Sequence, residues 1–158
     1  MIRRIGSMCC VLMLMICMLL TLTDNAQAAQ QDPVLDGSYL THDEESIGYD
    51  TKLTKGEDLL TGYSKCVRQG PGKIYAGGTT IAAHTVERVF VGVVVERAKK
   101  GDTAWSMYTG WQKENTNTDR AGSTRTLEVE GGYYYRVRSI HVANHDTSSS
   151  YTNGVYVE

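Results

Sequence analysis

Apolar and polar residues alternate along much of this chain, and the alternation is clearest over residues 86–97. From residue 89 to residue 95 every second position holds a valine: Val89, Val91, Val93 and Val95. Successive side chains of a β-strand point to opposite faces, so a period of two residues predicts a strand with one buried face. We therefore predict a strand over residues 86–97 whose valines face the core.

Other segments are similarly short or show the same alternation, and turn signals such as Gly70-Pro-Gly72 separate them. The seven predicted strands are residues 63–68, 73–83, 86–97, 105–113, 124–130, 133–144 and 148–158. Residues 114–122 are polar and are predicted to form a loop. About seven short strands with little helical period predict an all-β fold, an antiparallel β-sandwich of the immunoglobulin or fibronectin-III type. A β-barrel is the alternative, and the sequence does not separate the two.

The strand over residues 133–144 begins with three tyrosines. Alternation places Tyr133 and Tyr135 on one face of this strand. A Tyr-x-Val sequence after a glycine turn resembles the penultimate strand of immunoglobulin-like sandwiches, in which a tyrosine packs inward and returns its hydroxyl to nearby backbone. We predict this role for Tyr133 or Tyr135, and the alternation does not choose between them.

The opposite face of that strand carries the candidate binding patch, which consists of Tyr134, Arg136 and Arg138. If the first face builds the core, these three side chains point to solvent. Tyrosine and arginine are enriched among the residues that dominate protein interfaces, and aromatic rings also stack on sugars. The expected partner is therefore an extracellular protein or carbohydrate. Candidates for extending the patch are Trp105, Tyr108 and Trp111.

Residues 1–28 have the pattern of a signal peptide. Two arginines precede an apolar run over residues 8–22, and Ala26-Gln-Ala28 supplies the small residues that signal peptidase requires. The apolar run is shorter than the ~20 residues with which a helix spans a bilayer. We therefore predict cleavage after Ala28, no stable membrane anchor, and a secreted protein.

Residues 29–60 are predicted to be an acidic, partly disordered arm before a β-sandwich domain over residues 61–158. The arm holds eight acidic residues against Lys52 and Lys55, and it shows no sustained hydrophobic period. The whole chain carries a formal net charge of −2. A nearly balanced charge does not indicate nucleic acid as a partner.

Residue types that carry catalysis or bind metals occur without a supporting pattern. Removal of residues 1–28 leaves Cys66 as the single cysteine, which excludes an internal disulfide and favours a small buried side chain. His141 and His145 would lie about 13 Å apart on a strand, too far for one zinc ion, so we predict surface histidines and no metal site. The chain has no Gly-x-Ser-x-Gly motif. We predict no catalytic residue, no cofactor and no enzymatic activity.

Five short sequences combine turn glycines with aromatic or core residues. They are Asp36-Gly-Ser-Tyr39, Gly62-Tyr-Ser-Lys-Cys66, Gly70-Pro-Gly-Lys-Ile-Tyr-Ala-Gly-Gly-Thr-Thr80, Val95-Glu-Arg97 leading to Trp105, and Gly132-Tyr-Tyr-Tyr-Arg-Val-Arg138. Together they resemble a family of uncharacterised small secreted proteins of Gram-positive bacteria, over most of the mature chain. The resemblance implies export and an all-β domain, and it implies no activity, cofactor or catalytic residue.

The function expected from the sequence is that of a non-catalytic extracellular interaction module. A structural component of the cell envelope or of a coat, assembled through strand edges, is the first alternative. A small secreted hydrolase is the second alternative. Glu128 and Glu130 share one strand face, as a pair of catalytic carboxylates would, but alternation also produces such pairs by coincidence.

Overall fold

The structure is a computed structural model that describes residues 32–51 and 56–158. Nine strands run through these residues: β1 Val34–Leu35, β2 Ser38–Thr41, β3 Glu45–Tyr49, β4 Leu59–Arg68, β5 Lys73–Ala98, β6 Ser106–Glu128, β7 Tyr133–Ala143, β8 Asp146–Tyr151 and β9 Gly154–Val157. The described residues contain no helix, and so none that is long and apolar enough to cross a membrane. The predicted signal peptide, residues 1–28, and its cleavage site lie outside the described residues.

Strand β5 is the centre of the fold because it pairs with three other strands. Its first half pairs with β4 and its second half with β7, while β6 pairs with both halves. The register between β5 and β6 shifts between Ile81 and Val86, and such an irregularity bends a two-stranded ribbon. Two predicted strands, residues 73–83 and 86–97, are therefore one long strand. The predicted loop over residues 114–122 is wrong, because these residues continue β6 along β5.

All nine strands belong to one sheet in the order β1-β2-β9-β7-β5-β4-β3, with β6 also on β5 and β8 also on β7. The sheet curls, so that β4 packs face to face against β7 and β8, with which it has no backbone pairing. Within the described residues one strand pair, β2 with β9, is parallel. The all-β prediction is confirmed. The sheet is a curled half-barrel with mixed strand directions, however, and not clearly the predicted antiparallel sandwich of about seven strands.

The predicted valine face of β5 builds the core. Its members expose 1% of their surface or less: Val89, Val91, Val93 and Val95. Full burial of such a side chain stabilises a fold by about 1.5 kcal/mol or more. Cys66 on β4 is fully buried in the same core, and burial raises the pKa of its thiol from 9.0 to about 12. The predictions of a buried valine face and of a small buried Cys66 are confirmed.

Of the predicted acidic arm, residues 29–60, the structure describes residues 32–51 and 56–60, and it shows strands there. Residues 34–49 contain three strands, of which β2 pairs with β9 and β3 pairs with β4. Backbone pairing with the two outer strands of the sheet orders this segment, and pairing of this kind requires no hydrophobic period. The β-domain therefore begins by Val34, and the predicted boundary at residue 61 lies within β4.

Candidate functional site

Arg136, at the centre of the predicted patch, is buried: 2% of its surface is exposed. Its Nε donates to Glu96 Oε2 at 2.7 Å, and its Nη2 donates to Asp36 Oδ2 at 2.9 Å. Its Nη1 donates to the carbonyl of Asp36 and to the Ser38 hydroxyl, each at 3.0 Å. The prediction of an exposed Arg136 is wrong, because the β1–β2 hairpin lies over this face of the sheet.

An aromatic ring completes the cover over Arg136. The Cζ of Arg136 lies 4.6 Å from the ring centroid of Trp105. The Trp105 indole N–H donates to the carbonyl of Leu35 at 2.9 Å, which ties the ring to β1. Tyr108 and Trp111 are partly buried against the main core. The three residues predicted to extend the patch thus pack mainly against the protein itself.

Tyr134 is buried as well, with 5% of its surface exposed. It belongs to a second, small apolar cluster on the outer face of the sheet, together with residues of β1, β2 and β5. Its ring centroid lies 5.1 Å from that of Tyr156. Burial, with the neighbouring Tyr156, raises the pKa of the Tyr134 hydroxyl. The prediction of an exposed Tyr134 is wrong for the same physical reason, because the hairpin covers it.

Arg138 is the member of the predicted patch that does reach solvent, with 52% of its side chain exposed. Its Nη2 lies 3.1 Å from Glu96 Oε1. Glu96 is itself buried, and its carboxylate holds two guanidinium groups: Arg136 contacts one oxygen and Arg138 contacts the other. The structure thus separates the predicted patch into a buried ionic group that fixes the hairpin and one exposed arginine.

A shallow apolar depression of about 470 Å³ lies next to Arg138, on the outer face of β6, β5 and β7. The outer-face side chains that line it are mostly apolar: Phe90, Val94, Met107, Gln112 and Ile140. Met107 and Ile140 expose 69% and 49% of their surface. Large apolar side chains exposed together around a concave surface are typical of a binding site. We call this surface the outer depression.

Strand register explains why the outer depression is hollow. Gly92 on β5 lies opposite Ile140 on β7, and Gly110 on β6 lies opposite Val94 on β5. Two glycines at neighbouring positions leave the backbone uncovered where side chains would otherwise fill the face. A Cβ on Gly92 would lie 3.2 Å from the Phe90 ring. Because Val91, Val93 and Val95 face the core, alternation puts Gly92 and Val94 on the outer face, and the alignment of the three strands decides which residues meet there.

The tyrosine role predicted for Tyr133 or Tyr135 belongs to Tyr135. Its side chain is fully buried, and its hydroxyl donates to the carbonyl of Glu130 at 2.8 Å. Burial raises the pKa of this hydroxyl, and the hydrogen bond with Arg97 opposes the shift. Tyr133 is only partly buried and lies beneath Arg97, whose Cζ is 4.6 Å from its ring centroid.

His141 is fully buried, so the prediction that it is a surface histidine is wrong, whereas His145 is exposed. The two His141 ring nitrogens lie 3.0 Å from Thr80 Oγ1 and 2.8 Å from Ser150 Oγ. A hydroxyl beside an imidazole is the pairing that nucleophilic catalysis uses. Here Ser150 exposes 1% of its surface, which gives a substrate no access in this conformation. Across residues 32–51 and 56–158, no group of three or more His, Cys, Asp or Glu side chains is placed to hold a metal ion.

No protein-family model matches the chain, and neither does any curated protein or solved structure. The resemblance to a family of secreted Gram-positive proteins therefore stays a prediction.

Proposed function

We propose that the protein is a secreted, non-catalytic binding module that holds a protein partner in the outer depression. The observation that carries this proposal is the exposure of Met107 and Ile140, at 69% and 49%, around a concave surface. Leaving such side chains in water is unfavourable, and covering them with a partner's apolar surface releases about 25 cal/mol per Å².

The lining of the outer depression favours a protein over a carbohydrate as the partner. Its side chains are mainly aliphatic or aromatic, and Gln112 is the polar side chain among those that line it. A sugar presents several hydroxyl groups that require hydrogen-bonding partners, whereas an apolar side chain of a protein requires only matching shape. A carbohydrate is therefore the second partner class, and the experiment below compares its binding directly with that of proteins.

Secretion and the finer fold class belong to the same proposal. The predicted signal peptide over residues 1–28 supports secretion. The Tyr135 hydroxyl that returns to the Glu130 carbonyl supports a relation to immunoglobulin-like sandwiches, because those folds place a tyrosine in this way. The parallel pairing of β2 with β9 joins the first strands to the last one.

A paired comparison of variants tests the binding function. Wild-type protein and the double variant Met107→Lys/Ile140→Lys are applied to an array of extracellular proteins and to a glycan array. The control is Ile47→Lys/Tyr49→Lys on β3, because these residues expose 41% and 62% of their surface. We expect a protein signal that the first variant loses and the control keeps. Equal binding by both variants contradicts the proposed site, and binding to glycans alone contradicts the partner class.

The second candidate function, assembly into an envelope or coat layer, is favoured by one observation. Strand β6 pairs with β5 along one side, and within the described residues its other side, over Ser106–Glu128, has no strand partner. Free strand edges are templates for pairing with another chain. If the protein assembles in this way, size-exclusion chromatography will show oligomers that grow with concentration, and Thr116→Pro on β6 will remove them. A monomer at every concentration rules out this candidate.

A further inference from the structure

The surroundings of the outer depression differ in charge from one end to the other. At the Phe90 end, the Nε of Arg88 donates to Glu114 Oε2 at 2.7 Å, and the Arg88 Cζ lies 5.5 Å from the Phe90 ring centroid. This pair of opposite charges neutralises itself. At the other end the exposed group is Arg138, a cation.

Arg138 is positioned as part of the rim. Strand register places it directly opposite Val94 on β5 and opposite Tyr151 on β8. Val94 lines the outer depression, and Ile140, two residues along β7 from Arg138, lines it as well. A ligand group that contacts Val94 and Ile140 is therefore beside the Arg138 position of β7, and the exposed side chain of Arg138 can reach it.

The positive charge of Arg138 is only partly compensated. Its contact is with one oxygen of Glu96, and the other oxygen of this carboxylate is bound at 2.7 Å by Arg136. The second carboxylate of the group, Asp36, lies on Arg136 and is 71% exposed, so that water screens it. One buried carboxylate thus serves two guanidinium groups, and the exposed one keeps N–H donors available for an anion.

We infer that the partner presents a large apolar side chain next to a carboxylate: the apolar group fills the outer depression and the carboxylate binds Arg138. This inference rests on the proposed binding function and specifies its ligand. The carboxylate is the side chain of an Asp or Glu residue in the partner, which an arginine fork binds through paired N–H donors. The peptide format of the experiment separates it from a free C-terminus.

A random-peptide display library is the probe. It is selected on the wild-type protein after counter-selection on Met107→Lys/Ile140→Lys, once with free peptide C-termini and once with the C-termini fused to the carrier. We expect the peptides enriched in both formats to carry a large apolar residue next to Asp or Glu. Enrichment only of a terminal apolar residue with a free C-terminus contradicts this inference. Arg138→Gln is expected to weaken their binding about fivefold, and Arg138→Lys to weaken it less.

The variant Arg138→Glu provides an independent test, because it should change the selected residue beside the apolar one from acidic to basic. Thermal melting shows first that this variant is folded. Enriched apolar peptides with no acidic preference, bound equally by wild type and Arg138→Gln, overturn the inference and leave the proposed function standing. Failure to enrich any peptide over the counter-selected variant overturns both.

Discussion

Arg136 and Glu96 form an ion pair at 2.7 Å in which both side chains are more than nine-tenths buried. Charges of this kind occur inside proteins only when they are paired and hydrogen-bonded. Here the pair fixes the β1–β2 hairpin to the outer face of the sheet, since Arg136 also binds Asp36 in the hairpin turn. Arg136, which the sequence analysis assigned to the binding patch, therefore holds the hairpin to the sheet inside the protein.

Replacing Arg136 by Met is expected to lower the free energy of unfolding by about 3 kcal/mol or more, because Glu96 would remain buried without its closest partner. The matched control is Arg138→Met, because Arg138 contacts the same Glu96 carboxylate from an exposed position. We expect that variant to lose less than about 1 kcal/mol. Urea denaturation followed by circular dichroism measures both values. Similar losses in the two variants would show that burial does not distinguish the two arginines.

The hydrogen bond from Tyr135 to Glu130 should be measurable by removing one oxygen atom. Tyr135→Phe keeps the buried ring and leaves the Glu130 carbonyl without this donor. We expect a loss of about 1 kcal/mol in the free energy of unfolding. Tyr133→Phe, at the neighbouring position on the same strand face, serves as the control and should change stability by less than half as much. The prediction fails if Tyr133→Phe is the more damaging variant.

Close packing between β4 and β7 depends on the absence of a side chain at Gly62. A Cβ added there would overlap the ring of His141, which is fully buried and cannot move aside freely. Gly62→Ala is expected to cost about 1–3 kcal/mol of stability through overpacking. Gly122→Ala is the control, because its Cβ would meet the Thr79 hydroxyl at 3.1 Å on the outer side of the sheet. If Gly62→Ala leaves the melting temperature unchanged, β4 and β7 lie farther apart than the structure shows.

The buried thiol of Cys66 predicts a loss of stability in alkaline solution. Its pKa in the folded protein is about 12, against 9.0 for an unperturbed thiol. The unfolded chain therefore releases this proton first, so the contribution is complete below pH 9.0 and is lost as the pH rises toward 12. Between these values the slope from this group is about 1.4 kcal/mol per pH unit.

Cys66→Ala removes that slope and provides the comparison. The variant loses a constant amount of packing energy at every pH, so the difference in stability between wild type and variant should shrink as the pH rises above 9.0. Urea denaturation between neutral pH and about pH 10 is suitable, because unperturbed tyrosine hydroxyls ionise from about pH 10 upward. A difference that stays constant over this range contradicts a buried, protonated thiol.

The sequence predicted those elements whose signal is local. Alternation in β5 identified the buried valines, and the glycine turn before Tyr133 identified the start of β7 and a tyrosine with a backbone contact. Alternation failed over residues 114–122, where β6 continues as a polar strand with many exposed side chains. Such a strand is held by its backbone pairing with β5, and backbone pairing leaves no hydrophobic period to detect.

For the candidate site, the prediction was correct only in part. Alternation correctly placed Tyr134, Arg136 and Arg138 on the face opposite the main core, but that face is not uniformly exposed. The hairpin of β1 and β2 covers Tyr134 and Arg136 and ends before Arg138. The covering residues lie about a hundred positions earlier in the chain than those they cover, as the separation of Asp36 from Arg136 shows.

The sequence by itself determined the all-β class and the valine core, because both follow from neighbouring residues and the geometry of one strand. It also predicted the buried cysteine, because an unpaired cysteine behaves as a small apolar side chain. Only the tertiary structure decided that the sheet curls into a half-barrel, which arginine is buried, and that Met107, Ile140 and two glycines meet at one depression. These features depend on the register and curvature of strands far apart in the chain. A pattern within one strand gives the face of each side chain, and only the other strands decide what covers that face.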